Sequence, residues 1–151
     1  MRGPAVHPVV IAAGGTGGHF FPAEALATEL LARGRRVVLM TDARSAGQRS
    51  EAFAGADRFV IHGAGIAGRG LLRSSAAVLA LTGGVVQARR ILGRINASLV
   101  VGFGGYPSVA PVVAARLLQH RPPIVLHEQN AVLGRANRFL VRIADVLALS
   151  F

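Results

Sequence analysis

VVIAAGGTGGHFFPAEALATELLARG runs from Val9 to Gly34. The apolar run Val9–Ala13 does not alternate with polar residues, as in a strand buried on both faces. Gly14, Gly15, Gly17 and Gly18 follow around Thr16, and then His19. A helical pattern takes over at Pro22 and runs to Ala32. Proline suits the first turn of a helix, and Gly34 after Arg33 is a stop signal. Strand, glycine loop and helix in this order expose backbone N–H groups and the positive end of a helix dipole, a cradle for phosphate or diphosphate. His19 stands at its rim, with a reference pKa of ~6.5 that suits proton transfer near neutrality. A tight turn with a helix-capping histidine remains the other reading of this stretch alone.

The same alternation continues outward. Val37–Met40, Phe59–Ile61, Leu99–Val101, Ile124–Leu126 and Val146–Leu149 are further apolar runs. Helical patterns separate them at Ala43–Phe53, Leu71–Ile95, Ser108–Leu118 and Val132–Ile143, and Gly83-Gly84 is expected to kink or split the second of these. Pro122 and Pro123 end the pattern before the fifth strand. Right-handed crossovers then predict one α/β domain over residues 1–151, a doubly wound parallel sheet of about six strands.

Two more loops at carboxyl ends of strands have unusual composition. GFGGYPS, Gly102–Ser108, repeats the glycine-then-helix pattern, with Tyr106 as a phenol for hydrogen bonding or stacking and Ser108 as a candidate N-cap. HEQN, His127–Asn130, sets four polar residues at the end of a buried strand, where they need partners. Glu128 is one of two acids in the basic half of the chain, and Asn130 offers both a donor and an acceptor. Nicotinamide-dinucleotide binding is the competing reading, since Asp42 follows the second strand where a ribose-binding acid would stand. Phe20, however, occupies the third glycine position of that fingerprint.

Composition narrows the classes. The 151 residues are 52% hydrophobic and 5% aromatic, with no cysteine, which excludes disulfides and thiolate metal sites. Net charge is +10, and every base is arginine. Residues 1–68 hold seven arginines and five acids; residues 69–151 hold ten and two. Such a half faces phosphate in nucleic acid, lipid or a small ligand. Few aromatics and no nucleic-acid motif argue against nucleic acid. Pro8 and the glycine cluster break the apolar N-terminus, and glycines and prolines interrupt Ile95–Ala115, so no leader and no transmembrane span are expected.

Together, GGTGGHFFPA (Gly14–Ala23), GFGGYPSVAP (Gly102–Pro111) and HEQNAVLGRANR (His127–Arg138) resemble the MurG-type glycosyltransferases over nearly the whole chain. The resemblance implies a Rossmann-like, acceptor-binding N-terminal half of a GT-B enzyme, whose nucleotide-sugar domain is absent from this chain. It implies transfer of N-acetylglucosamine from UDP-GlcNAc to undecaprenyl-diphosphate-linked N-acetylmuramoyl-pentapeptide, with inversion and no metal or other cofactor. His19 is then the first candidate base and Glu128 the second. Thr16, Gly17, Gly18 and Asn130 fall at nucleotide-sugar positions. Gly14, Gly15, Gly104, Gly105 and Tyr106 fall to the acceptor and its diphosphate. Alone, such a chain is expected to be inactive, or to act only as a membrane-surface and diphosphate-binding module.

A lipid-borne acceptor suits the basic half. Arg135, Arg138 and Arg142 share one helical face, beside Phe139. Arg69, Arg73, Arg89, Arg90 and Arg94 flank an apolar segment. Peripheral attachment to anionic lipid at the cytoplasmic face of the bacterial inner membrane is expected through these residues.

Overall fold

The computed structural model describes residues 7–15, 17–62 and 75–150. Six parallel strands form one sheet: β1 (Val9–Ala12), β2 (Val37–Thr41), β3 (Asp57–Val60), β4 (Leu99–Gly102), β5 (Ile124–Glu128) and β6 (Val146–Leu149). Their spatial order is β3-β2-β1-β4-β5-β6. β1 pairs with β2 from Val9 opposite Val37, and with β4 from Val9 opposite Leu99. The order therefore reverses between β1 and β4, and the strand ends at such a reversal are where folds of this kind bind ligands.

Alternate residues of the central strands feed two cores. Val10, Val38, Met40, Val100, Ile124 and Leu126 pack under α2 (Ser75–Ile95), α3 (Val109–Arg116) and α4 (Arg135–Leu140). Val9, Ile11, Leu39, Val101 and Phe103 pack on the other face against α1 (Gly17–Ala32) through Phe20, Ala23 and Ala27. Phe20 is fully buried, with its ring centroid 5.8 Å from that of Phe53. This packing explains why the third position of a dinucleotide fingerprint holds an aromatic. Arg121 clamps Asp145 through two hydrogen bonds of 2.8 and 2.9 Å, and Asp145 also accepts from Ile124 N, so the starts of β5 and β6 are joined.

Several boundaries depart from expectation. α1 begins at Gly17, not Pro22. Its first N–H groups need no intrahelical partner, so Pro22 in the second turn removes only the bond to the Gly18 carbonyl. Ala43–Phe53 is a series of turns rather than a helix. There Ser45 N donates to Asp42 Oδ1, and the Arg58 guanidinium takes the carbonyls of Ala46 and Gln48 that a helix would use. β3 starts two residues earlier than the apolar run and includes Asp57, which pairs with Arg36. Val132–Ile143 shortens to α4, capped at Gly134.

α2 passes through Gly83-Gly84 without a break. Gly83 faces open space, but a Cβ on Gly84 would meet the His62 carbonyl oxygen at 2.5 Å and the Ala110 methyl at 3.4 Å. The second glycine thus serves close approach of α2 to α3 and to the end of β3, not a kink. Among the described residues no helix is long and apolar enough to cross a membrane.

Candidate active site

The loops after β1, β4 and β5 meet over the β1–β4 reversal. His19, in the first turn of α1, places Nδ1 3.0 Å from the Phe103 carbonyl oxygen at the end of β4. A Cβ on Gly105 would lie 3.6 Å from His19 Cδ2 and 3.8 Å from Nε2, so that glycine brings the loop against the imidazole. Gly105 has φ +68° and Gly104 φ +85°, a region that disfavours side chains. Ser108 does not cap α3 with its side chain. Its hydroxyl instead lies 2.9 Å from both Ala12 O and Gly104 O, joining the end of β1 to this loop.

The glycine cluster divides into different jobs. Gly15 N donates to Ser45 Oγ at 2.6 Å, so this amide, expected in an anion cradle, is engaged within the protein. A Cβ on Gly14 would press on Thr41 Oγ1, Ser45 Oγ and Asp42 Oδ1 at 2.9 to 3.1 Å. The exposed ring of Phe21 lies over Gly17, while Gly18 opens to solvent. The expected site residue Thr16 lies outside the described residues. Asp42 is 1% exposed and bonded to Ser45 N and Arg44, so it is not presented to a ribose.

Glu128 is 1% exposed and fully partnered. Oε1 accepts from Asn130 N at 3.0 Å and Asn130 Nδ2 at 2.8 Å. Oε2 accepts from Gly134 N and Asn137 Nδ2, both at 2.9 Å. Burial pushes its pKa up, but the hydrogen bonds from Gly134, Asn137 and Asn130 outweigh burial and hold it at about 2. Asn137 also rests against Gly104, where a Cβ would stand 3.1 Å from Nδ2, and its buried Oδ1 has no partner among the described residues. Glu128 therefore links Asn130, α4 and the loop after β4. Tyr106 is half-buried and packs against the core.

Sequence reasoning singled out both neighbours of Gln129 and passed over Gln129 itself. Its amide contacts His19 Nδ1 and lies 3.3 Å from Phe103 O. The signal available was that of Glu128: a polar side chain at a buried strand end needs partners. Asn137 was missed because it sits within the stretch read as an arginine stripe.

The predicted cationic groups lie elsewhere. Arg135, Arg138, Phe139 and Arg142 are exposed together on and just past α4. Arg89, Arg90 and Arg94 are exposed along α2, beyond the exposed Val78, Leu79 and Val86. Arg69 and Arg73 lie outside the described residues. A hollow lined by Gly47, Arg49, Phe53 and Arg58 opens at the β3 edge, away from the three loops. Among the described residues no three His, Asp or Glu side chains gather into a metal-binding set.

A doubly wound sheet with a histidine and two glycine turns at its reversal point defines a Rossmann-like domain, a class whose ligands sit beyond the strand ends. The chain belongs to glycosyltransferase family 28, whose N-terminal domain model matches residues 9–148. It is 64% identical over its whole length to a protein of Acidiphilium cryptum and 63% identical over 99% of its length to one of Granulibacter bethesdensis. Both carry the name UDP-N-acetylglucosamine–N-acetylmuramyl-(pentapeptide) pyrophosphoryl-undecaprenol N-acetylglucosamine transferase. The chain spans 41% and 39% of those relatives. The crystal structure of Acinetobacter baumannii MurG matches with a TM-score of 0.78 at 34% identity, over 96% of this chain and 41% of that one. A calicheamicin glycosyltransferase, at 22% identity and a TM-score of 0.56, shares the fold.

Proposed function

We propose that this chain is the acceptor-side domain of an inverting N-acetylglucosaminyltransferase acting on UDP-GlcNAc and undecaprenyl-diphosphate-linked N-acetylmuramoyl-pentapeptide. The names and 63–64% identity of the relatives support this substrate pair. The observation that carries the reading is the seat of His19, where three loops meet over the sheet reversal with Gly105 against its ring.

In this reading the muramoyl 4-hydroxyl attacks the anomeric carbon of the donor, the bond to UDP breaks, and His19 removes the hydroxyl proton. Glu128 holds its proton too weakly for that task, at about 2, and its lone pairs are occupied. Its role is to hold Asn130 toward the donor and Asn137 against Gly104. Thr16, Gly17 and Gly18 serve the donor with Asn130, and the open Gly18 is the best placed of the described glycines. Gly104, Gly105 and Tyr106 serve the acceptor, and Gly14 and Gly15 shape the first loop beside its diphosphate. The exposed arginines of α2 and α4, with Phe139, hold the domain at the cytoplasmic face of the membrane through anionic lipid.

A chimera of residues 1–151 with the remaining portion of the Acidiphilium cryptum relative tests this. The chimera should transfer N-acetylglucosamine to a soluble acceptor analogue, and this chain alone should not. His19→Ala in the chimera should lower kcat on the order of 100-fold or more. A folded chimera with no transfer, beside an active relative, refutes the substrate assignment. An unchanged kcat in the variant removes His19 from the role of base.

A further inference from the structure

The crossover from β2 to β3 carries turns where a doubly wound sheet normally carries a helix, over Ala43–Phe53. One corner of the sheet is therefore covered by loop alone. Leu39 pairs in register with Arg58 and belongs to the core on the α1 face, so Arg58 lies on that face too. Phe53 packs into the same core. Arg58, Phe53 and the turns line an open hollow of about 640 Å³. Small-molecule clefts span roughly 300–1,000 Å³.

The groups in its wall are placed but not used up. Arg58 Nη1 donates to the carbonyls of Ala46 and Gln48 at 2.7 and 3.0 Å, which fixes the guanidinium against the turns. A guanidinium has five N–H donors. Those on Arg58 Nε and Nη2 find no acceptor among the described residues. Nε and Nη2 form the parallel fork that matches the two oxygens of a carboxylate. Arg49 and Glu51 also line the hollow, both exposed and neither with a side-chain partner among the described residues. Two guanidiniums against one carboxylate leave a single net positive charge. That balance suits a monoanion better than a phosphate ester, which carries about −1.5 to −2 at pH 7 and would face Glu51.

We propose that this hollow binds a small organic carboxylate, held by the free edge of Arg58 and by Arg49. Glu51 receives an ammonium or hydroxyl group of the same molecule, and Phe53 backs its apolar part. The site stands apart from the three loops around His19 and does not depend on the transferase chemistry proposed there.

The test titrates the 151-residue chain with propionate, β-alanine and inorganic phosphate at constant ionic strength. Nitrogen–proton NMR follows the Arg58 Nε–H and the amides of Gly47 and Ala54, with Arg135 and Arg142 Nε–H as references for general ion binding. Propionate should shift the first group saturably and leave the references in place. β-Alanine, the same acid with an ammonium group, should bind more tightly than propionate and lose that advantage in Glu51→Gln. Arg49→Gln should weaken propionate about tenfold, the worth of one hydrogen bond to a charged group. Arg58→Lys keeps donors for the two carbonyls but loses the fork, and should weaken it at least as much. Thermal melts show which variants are folded, and Arg49→Gln, at an exposed side chain, serves if Arg58→Lys is not. Shifts that do not saturate, that appear equally at Arg135 and Arg142, or that survive Arg49→Gln unchanged overturn the proposal. So does tighter binding of phosphate than of propionate. None of these results bears on the chimera's substrate assay, so the two readings fail separately.

Discussion

Asn137 Nδ2 donates a 2.9 Å hydrogen bond to Glu128 Oε2, and neither residue is more than 2% exposed. The pair ties the end of β5 to α4 and, through Asn137, to Gly104. Because the ionised carboxylate is the form these donors hold, the charge of Glu128 stabilises the fold.

The pH dependence follows. The pKa of Glu128 falls from 4.5 to about 2 on folding. Its contribution is therefore complete above pH 4.5 and is lost as the pH falls toward 2; the displacement corresponds to about 3 kcal/mol. Glu128→Gln should lower Tm at pH 7 and flatten the fall in Tm between pH 5 and 2. Melting curves of both proteins across that range check this, and parallel pH profiles would contradict it.

Two adjacent glycines should respond oppositely to alanine. Gly83→Ala meets open space and should gain about 0.5–1 kcal/mol of stability from helix propensity. Gly84→Ala has the same local benefit but meets the His62 carbonyl at 2.5 Å, and should lose roughly 1–3 kcal/mol net. Urea denaturation of the two variants separates them.

Ser45→Ala should leave Gly15 N–H without its 2.6 Å partner, while the Ser45 backbone N–H that Asp42 accepts is kept. A loss of about 1–2 kcal/mol is expected. Hydrogen exchange at the Gly15 amide should accelerate relative to amides in β2. Unchanged protection at Gly15 would show that Ser45 does not hold the loop.

Replacing Arg135, Arg138 and Arg142 together by serine should weaken flotation with anionic vesicles and leave neutral vesicles unaffected. At ~1 kcal/mol per arginine near the surface, three are worth on the order of 100-fold in partitioning, less at high salt. Equal binding of the unaltered chain to anionic and neutral vesicles would exclude this attachment.

The sheet was legible because fully buried parallel strands read as unbroken apolar runs, and Val37–Met40 needs nothing else to be recognised. His19 was legible because glycines beside one titratable ring have few structural uses. Glu128 was legible as a group needing partners, but its partners were not: Asn137 lies nine residues away, and a sequence does not show which side chain turns inward. The Gly15–Ser45 bond spans thirty residues and is invisible to local pattern. Ala43–Phe53 was misread for the same reason, since Arg58 claims its carbonyls from the next strand.

Each crossover helix runs against the strands it connects, so α2 starts at the rim that holds His19 and finishes at the opposite rim. Val78 and Leu79 occupy its opening turns, and Arg94 lies about 22 Å beyond Leu79 at 1.5 Å per residue. The helix is thus graded from greasy at one pole to cationic at the other. A leaflet touching only the greasy pole stands the domain on end with the loops facing lipid; one touching the whole length lays it on its side. Solvent shielding read residue by residue along α2 becomes a gauge of tilt.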